Sequence, residues 1–410
     1  MVKGEAGSPY AIKDYYDIDP DLAEDPSTRM QEFEALVTRT HEVGLKVVLD
    51  FVPNHVARQY HSDAAPEGVD DLGAHDNKEM HFSPSNNFYY IPRQAFTPQF
   101  YIGEGVDRYF EYPAKATGND CFGAFPGEYD WYETVKLNYG VDYTGGGRCH
   151  FDPIPDTWYK MLDILLFWCG KGADAFRCDM AHMVPVEFWN WAISKVKENY
   201  PSVIFIAEIY DQALYRVYIE KGKFDYLYDK VGLYDKLRGV LCHQVSAAQL
   251  TYCWQSVDGI GGKMLNFLEN HDEQRFASDQ FAGDADKVLP ALVVSSMMNT
   301  GPMMIYFGQE DAEGFSGKDG RTTIFDYWSV PTVRQWYDSG RCSVSKLSAK
   351  QKKLRNLYET ILNISRLESA IVRGDFFDLM YVNGENPSFN PHRQYAFLRK
   401  YGNELLVIVV

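Results

Sequence analysis

The amino-acid sequence predicts an α/β fold in which helices alternate with the strands of a parallel sheet. Short apolar runs are separated by segments of helical periodicity, a pattern typical of strands that are covered by helices on both faces. Four of these strands end in polar residues, as the strands of a (β/α)8 barrel do where they carry a functional site. The predicted strands are 45–52, 173–179, 203–208, 224–227, 263–268 and 303–307.

The first helix is predicted from its boundaries. Asp25 is placed as an N-cap and Pro26 occupies the first helical position, after which apolar residues recur at helical spacing until Gly44. Later segments with helical periodicity are 156–169, 186–199, parts of 232–254, 285–298 and 349–368.

Composition divides the chain into four segments. Residues 1–55 and 150–368 carry the pattern of alternating helices and strands, and the first segment ends in a predicted strand. Residues 56–149 are rich in Gly, Asn, Asp, Pro and aromatic residues and are too many for a loop, so we expect an inserted domain there. Residues 369–410 are rich in β-formers and predict part of an antiparallel β domain.

Charge and cysteine usage exclude several classes of function. The 410 residues include 40 Lys and Arg against 57 Asp and Glu, a net charge of −17 that repels nucleic acids and anionic membranes. The seven cysteines are scattered without a CxxC pair, which favours neither a disulfide framework nor a zinc site. The 29 Tyr, 25 Phe and 8 Trp suit a large core and also sugar-like ligands.

Polar residues close four of the predicted strands at positions where core packing gives no reason for them. A single polar residue at a strand end is often a cap or a turn residue, but four at equivalent ends indicate an active site. The residues are 50–55, 177–179, 208 and 270–272.

Two of these groups suit acid–base chemistry. Arg177 and Asp179 face the same side of their strand, so the guanidinium is expected to lower the pKa of Asp179 and favour a nucleophilic carboxylate. Glu208 follows an apolar strand, where burial raises the pKa of a carboxyl group and retains its proton. A nucleophile and an acid of this kind are what a retaining glycosidase requires.

A third acidic group, Asp272, follows a later strand beside His271. Its carboxylate would stabilise positive charge on an oxocarbenium-like transition state, and the alternative is that it caps the next helix. The alternative for His55 and His271 is a hydrogen-bonded histidine of the core.

Together these residues resemble the alpha-amylase family of glycoside hydrolases. Four segments match the family motifs in the family's order, and two more resemble its last barrel strand and an early loop. The six segments are 50–55, 176–179, 207–209, 267–272, 301–310 and 14–20.

The resemblance implies Asp179 as nucleophile, Glu208 as general acid and base, and Asp272 as transition-state stabiliser. The residues that it places around the sugar of subsite −1 are Tyr10, His55, Arg177 and His271. The chemistry requires no cofactor, and Asn54 lies where many members of the family hold a structural calcium ion.

The expected function is retaining hydrolysis of α-glucosidic bonds in starch-like polysaccharides or maltooligosaccharides. Residues 135–138 resemble a motif of the neopullulanase and cyclomaltodextrinase branch, whereas residues 180–183 match neither that branch nor the usual alpha-amylase pattern. Transglycosylation or isomerisation by the same family, and a catalytically silent scaffold, are the alternatives.

Counting strands against the motifs gives a further expectation. The family barrel has its first motif on the third strand, so two strands and a helix are expected to be missing at the front, and the β domain is expected to be truncated. We therefore expect an open barrel seam and a chain that alone is poorly stable or inactive. The aromatic residues expected to line the substrate cleft are Tyr89, Tyr90, Tyr101, Trp131 and Tyr132.

Overall fold

Parallel strands flanked by helices form both of the units into which the chain divides in the computed structural model. The structure describes residues 1–100, 109–314, 316–325 and 329–410. Unit 1 comprises Met1–Glu208 and Arg216–Asp225, and unit 2 comprises Ile209–Tyr215 and Tyr226–Val410.

The regular elements of the described residues are as follows. The strands are β1 (Val2–Lys3), β2 (Ile12–Asp14), β3 (Val48–Phe51), β4 (His55–Ala57), β5 (Tyr90–Ile91), β6 (Ala114–Lys115), β7 (Thr134–Lys136), β8 (Val141–Asp142), β9 (Arg148–Cys149), β10 (Ala175–Cys178), β11 (Ile204–Ala207), β12 (Tyr226–Tyr228), β13 (Met264–Phe267), β14 (Met303–Met304), β15 (Asp375–Asp378), β16 (Ala396–Tyr401) and β17 (Glu404–Val409). The α-helices are α1 (Arg29–Glu42), α2 (Asp156–Gly170), α3 (Val186–Asn199), α4 (Tyr215–Glu220), α5 (Asp235–Leu241), α6 (Leu250–Ser256), α7 (Leu289–Met297), α8 (Pro331–Tyr337), α9 (Ala349–Leu367) and α10 (Ser369–Val372).

In unit 1, β10 lies between β3 and β11 and pairs with both in parallel. Cys178 is opposite Phe51 on one side and Ala207 on the other, so the three strands end at the same level. All four residues of β10 are buried, as expected for a central strand covered on both faces. The residues that follow the three strands therefore emerge at one edge of this sheet.

The outer strand of this sheet is half exposed. The relative exposure of Val48 on β3 is 49%, and that of Leu45, just before the strand, is 62%. Among the described residues of unit 1, β10 is the partner of β3. Apolar side chains on this side of the unit 1 sheet are therefore exposed.

Three antiparallel pairs of short strands lie in the described part of 55–149 in unit 1. β4 pairs with β7, β5 with β6, and β8 with β9. The first of these pairs places His55 opposite Lys136. This register brings the end of the first motif against a segment about eighty residues later in the chain.

Unit 2 contains the parallel strands β12, β13 and β14, with β13 between the other two. Each of the six predicted strands is thus present, three in each unit. An antiparallel sheet of β15, β16 and β17 follows in unit 2, and β16 pairs with both neighbours. Buried residues of α7, α9 and β16, including Leu292, Leu354 and Phe397, share one apolar core. Among the described residues, no helix has the length and apolar character of a membrane span.

Helix α2 contributes a buried apolar face to the core of unit 1, because its apolar residues recur at helical spacing. Trp168 is completely buried on this face, its ring centre lies 5.4 Å from that of Phe33, and its indole N–H donates to the Tyr15 carbonyl at 2.7 Å.

We expect Trp168→Ala to lower the free energy of unfolding by about 3 to 5 kcal/mol because it leaves a large cavity. Trp168→Phe should cost about 1 to 3 kcal/mol, since it keeps most of the ring but removes the buried hydrogen-bond donor. Urea denaturation followed by circular dichroism measures both. Trp191→Phe on α3, at a partly exposed site, is the matched control, and equal losses in the two Trp→Phe variants would contradict the assignment.

Candidate active site

One arginine contacts three carboxyl groups at the edge where the unit 1 strands end. Arg177 lies on β10 opposite Asp50 on β3, and its Nη1 donates to Asp50 Oδ1 and to Asp179 Oδ1, each at 2.9 Å. Its Nη2 lies 2.6 Å from Oε1 of Glu208, the residue that follows β11. The parallel register therefore brings together residues that are far apart in the sequence.

Glu208 is held by backbone as well as by Arg177. The carboxyl group is almost completely buried, with 1% exposure, and Oε2 accepts a hydrogen bond from the Met180 N–H at 2.9 Å. Met180 has φ of 42° and ψ of 42°, a left-handed conformation that is unfavourable for a non-glycine residue. This turn directly after Asp179 aims the N–H at Glu208. Sequence reasoning missed this role of Met180, because side-chain motifs carry no sign of a backbone donor.

The protonation of the group is set by burial and by crowding of negative charge. Burial raises the pKa of Asp179 well above its usual value, Arg177 opposes the shift, and the nearby charges of Glu208 and Asp50 add to it. The expectation that Arg177 leaves Asp179 with a low pKa is therefore wrong for the net effect, although that contact does act in the expected direction. One guanidinium compensates only part of the charge of three carboxylates, so the group tends to retain a proton.

Tyr10 joins this group from the N-terminal segment. Its hydroxyl donates to Asp50 Oδ2 at 2.7 Å, and its ring centre lies 5.6 Å from the Arg177 guanidinium. Burial raises the pKa of Tyr10 well above its ordinary value, so the phenol stays protonated as the donor. Asp50 belongs to the first motif but received no role from the sequence, and its position opposite Arg177 in the sheet is what identifies it.

His55 lies on β4 and is 3% exposed. Its Nδ1 lies 3.1 Å from Asn54 Nδ2, and its ring centre is 5.2 Å from that of Trp131. Burial, with a smaller contribution from the charge of Lys136, lowers the pKa of His55 to about 3, so the ring is neutral at ordinary pH. A neutral imidazole can hydrogen-bond a sugar hydroxyl without adding charge to the site.

The ammonium group of Lys136 contacts oxygen atoms of Asn54 and of the nearby Asp120. Lys136 is 1% exposed, and its Nζ lies 2.8 Å from Asn54 Oδ1 and 2.6 Å from Asp120 Oδ1. Calcium requires about six to eight oxygen ligands. Here the two side-chain oxygens are hydrogen-bonded to an ammonium group. The nearby carbonyl oxygen of Gly118 accepts a hydrogen bond from Asn54 Nδ2. The described residues around Asn54 do not fit a calcium site.

A cavity of about 670 Å³ lies in unit 1 beside this group. Met180, the residue after Asp179, contributes to the wall of this cavity. Aromatic and polar side chains line it together, as in many sugar sites, and among them are Trp131, Tyr143, Tyr218 and Glu187.

The expected cleft aromatics are only partly where they were predicted. Trp131 lines the cavity, and Tyr132 is partly buried with its ring 4.8 Å from that of Phe100. The prediction is wrong for Tyr89 and Tyr90, which are 1% and 3% exposed and pack inside unit 1. Their hydroxyls bond to the Val141 carbonyl and to Asp76, so both are core residues with satisfied polar tips. Tyr101 lies outside the described residues.

His271 and Asp272 follow β13 in unit 2. Asn270 Oδ1 accepts from the backbone N–H of Asp272 and of Glu273, and His271 Nε2 lies 3.2 Å from Asp272 Oδ2. The Asp272 side chain remains 47% exposed and faces a charged cavity of about 400 Å³. Asp272 caps no helix, because the next helical segment of the described residues begins at Ala285 and has Asp284 as its N-cap.

A buried ion pair supports the loop that carries Asp272. Glu269 and Arg275 are both completely buried and lie 2.8 Å apart, and Glu269 Oε1 also accepts the Phe276 N–H at 2.7 Å. Burial raises the pKa of Glu269 to about 7. Sequence reasoning included Glu269 in a motif but did not predict that it pairs across the loop.

Comparison with known proteins gives a family match in the N-terminal quarter and similar folds along the whole chain. Residues 4–111 match the model of the alpha-amylase catalytic domain. The alpha-1,4-glucan:maltose-1-phosphate maltosyltransferase of Cereibacter sphaeroides is 36% identical over 107 residues, which make up 25% of this chain and 18% of that enzyme. A cyclomaltodextrinase from Bacillus sp is 22% identical over 423 residues, covering 100% of the chain and 61% of the enzyme. The chain thus spans less than two thirds of the length of either relative.

Among solved structures, the cyclic alpha-maltosyl-(1→6)-maltose hydrolase of Arthrobacter globiformis superposes with a TM-score of 0.67 at 18% identity, covering 100% of this chain and 76% of that structure. This similarity confirms the predicted fold class, a barrel of the alpha-amylase type with a C-terminal antiparallel sheet. The motifs, the matched catalytic-domain model over residues 4–111 and the shared fold agree, and in these respects the chain is similar to the alpha-amylase family of glycoside hydrolases.

Proposed function

We propose that this chain carries the catalytic centre of a retaining glycoside hydrolase that cleaves α-glucosidic bonds in maltooligosaccharides or starch-like polysaccharides. The observation that carries the proposal is the contact of Arg177 with both Asp179 and Glu208 at the ends of adjacent parallel strands. Two buried carboxyl groups beside one cation can share a single proton, and the reaction takes place in the state in which Asp179 is ionised and Glu208 holds that proton.

In the first step, Asp179 attacks the anomeric carbon while Glu208 donates its proton to the leaving glycosidic oxygen. The carbon–oxygen bond to the leaving sugar breaks and an ester to Asp179 forms. In the second step, the ionised Glu208 takes a proton from water, the water oxygen bonds to the anomeric carbon, and Asp179 is released. The Met180 N–H and Arg177 keep Glu208 aligned in both steps.

The remaining roles follow from the motifs and agree with the local chemistry. Tyr10 and Arg177 flank Asp50 and offer an aromatic face and a cation to the sugar. His55 supplies a neutral hydrogen-bonding ring. In unit 2, His271 and Asp272 belong to the fourth motif, and we assign Asp272 to transition-state stabilisation because its carboxylate is partly exposed rather than buried in a core.

The preferred substrates are expected to be short or cyclic α-glucans. Cyclomaltodextrinase and cyclic alpha-maltosyl-(1→6)-maltose hydrolase are among the proteins of similar fold, and residues 135–138 resemble the motif of the cyclomaltodextrinase branch. The aromatic side chains around the unit 1 cavity offer faces on which sugar rings stack.

Glycosyl transfer is the second candidate function. Its specific support is the similarity to a maltosyltransferase at 36% identity over 107 residues. The same ester to Asp179 would form, and a sugar hydroxyl rather than water would take the glycosyl group. A silent scaffold is less well supported because all three carboxylates of the motifs are present.

We expect Glu208→Gln to lower the rate of maltoheptaose hydrolysis by about 10²- to 10⁴-fold, because the amide cannot donate the proton to the leaving oxygen. The rate of the same variant with α-maltosyl fluoride should fall much less, since fluoride departs without general acid assistance. Chromatographic product analysis with maltoheptaose, pullulan and cyclodextrin measures the first effect and separates hydrolysis from transfer. Glu198→Gln, an exposed substitution of the same kind on α3, is the control.

Two outcomes would contradict the proposal. Unchanged maltoheptaose hydrolysis by Glu208→Gln would exclude Glu208 as the acid. Release of the new reducing end first as the β-anomer, observed by proton NMR at early times, would exclude the retaining mechanism.

We expect Asp50→Asn to move the acidic limb of the kcat/KM profile to lower pH by about 0.5 to 1 unit. Asp179 attacks only when ionised, and its raised pKa causes activity to fall as pH decreases through that pKa. Removing the charge of Asp50 lowers the pKa of Asp179 and leaves Arg177 freer to stabilise its carboxylate. The measurement is kcat/KM against pH, with Asp21→Asn at an exposed site as control. A limb that stays in place or moves to higher pH would contradict this electrostatic account.

A further inference from the structure

Lys136 is a buried cation whose contacts lead to a residue of the candidate active site. Its Nζ is within 2.8 Å of Asn54 Oδ1 and 2.6 Å of Asp120 Oδ1. Asp120 adopts a left-handed backbone conformation with φ of 68° and is the partly exposed member of the group. The ammonium therefore has one charged partner near solvent and one neutral partner in the interior.

The ammonium determines which way the Asn54 amide faces. An ammonium group only donates hydrogen bonds, so the atom of Asn54 that meets Lys136 must be the oxygen. The amide nitrogen then faces Gly118 O at 2.7 Å and His55 Nδ1 at 3.1 Å. The carbonyl of Gly118 only accepts, which agrees with this orientation.

The orientation of the amide in turn determines the tautomer of His55. Because Asn54 Nδ2 donates to Nδ1, that ring nitrogen carries no proton, and in the neutral ring the proton is on Nε2. The ring also forms a hydrogen bond with the backbone of Tyr10. The ring thus has one defined donor, and Lys136, Asn54 and His55 form a linear series of contacts.

The ammonium also takes the place that a divalent ion would need at Asn54. A calcium ion would have to displace Lys136 from both Asn54 and Asp120, and a lysine with 1% exposure has little room in which to move away. Within the described residues, moreover, no three His, Cys, Asp or Glu side chains lie together as a metal site would require.

We propose that Lys136 is a positioning residue that serves as a built-in cation at Asn54, fixes the Asn54 amide and thereby holds His55 in the Nε2–H tautomer without calcium. The role of Lys136 is independent of turnover, so its tests use spectroscopic and thermal readouts that remain valid if the proposed hydrolase activity is absent.

The first test measures the His55 tautomer in the full chain by two-bond ¹H–¹⁵N NMR with ¹⁵N-labelled histidine, with His55→Gln used to assign the signal. The unprotonated ring nitrogen resonates well downfield of the protonated one, and in the wild-type protein it should be Nδ1. Lys136→Met should give a mixture of tautomers, because only Gly118 O then orients the amide. Lys115→Met, at a mostly buried lysine of β6 paired with Glu111, is the matched control and should leave the signal unchanged.

A second variant keeps the test decisive if Lys136→Met fails to fold. Asn54→Asp preserves size and keeps an acceptor for Lys136, but the introduced carboxylate cannot donate to His55. The proton should therefore move to Nδ1. A wild-type signature in either Lys136→Met or Asn54→Asp would overturn the proposed chain of contacts.

Calcium dependence is the last arm of the test. The melting temperature of the wild-type protein should be the same in excess calcium and in EGTA. A calcium-dependent rise in melting temperature that Asp120→Asn abolishes would place the ion on these oxygens and overturn the role of Lys136 as the resident cation.

Discussion

The guanidinium of Arg177 is the charge on which the candidate active site depends. It lies on the central strand of the unit 1 sheet, where Asp50 is opposite in the register and the carboxyl groups of Asp179 and Glu208 follow the strand ends. A slip of one residue in that register would turn Arg177 to the other face and leave buried carboxylates without a cation. Strand pairing therefore sets the proton content of the site as well as its geometry.

Two buried cations organise unit 1 in different ways. Arg177 faces mainly carboxylates, so its contacts govern charge and proton binding. Lys136 faces an amide and a partly exposed carboxylate, so its contacts govern orientation. Both side chains reach residues of the same motif, Asp50 and Asn54, which explains how a short segment at the end of β3 connects the sheet with the pairs of strands at 55–149.

The sequence was sufficient to predict which acidic side chains follow the strand ends and lie close together. Asp179 and Glu208 were predicted because acidic groups after apolar strands have no packing explanation, and the structure brings them to one guanidinium. The net pKa shift of Asp179 was not predictable, because it depends on burial and on Asp50 in another strand. Tyr89 and Tyr90 were misassigned since composition counts aromatic residues without distinguishing the core from a cleft.

Contacts between distant segments escaped prediction for a similar reason. Lys136 and Asn54 are 82 positions apart, and neither residue alone indicates that the other fixes its amide. Glu269 and Arg275 are close in sequence, but only the folded loop shows that both are completely buried. The parallel strands were predictable from local patterns, whereas the pairing of the irregular segment depends on tertiary structure that those patterns do not encode.

Met180 combines two functions that are usually separate. Its N–H holds the carboxyl group of Glu208, and its side chain forms part of the wall of the unit 1 cavity. The left-handed backbone at Met180 strongly disfavours β-branched replacements, because their side chains rarely tolerate a positive φ. An unbranched or small side chain at position 180 would alter the wall of the cavity while the backbone donor to Glu208 stays in place. The shape of the cavity and the hold on Glu208 therefore depend on the conformation of one peptide unit.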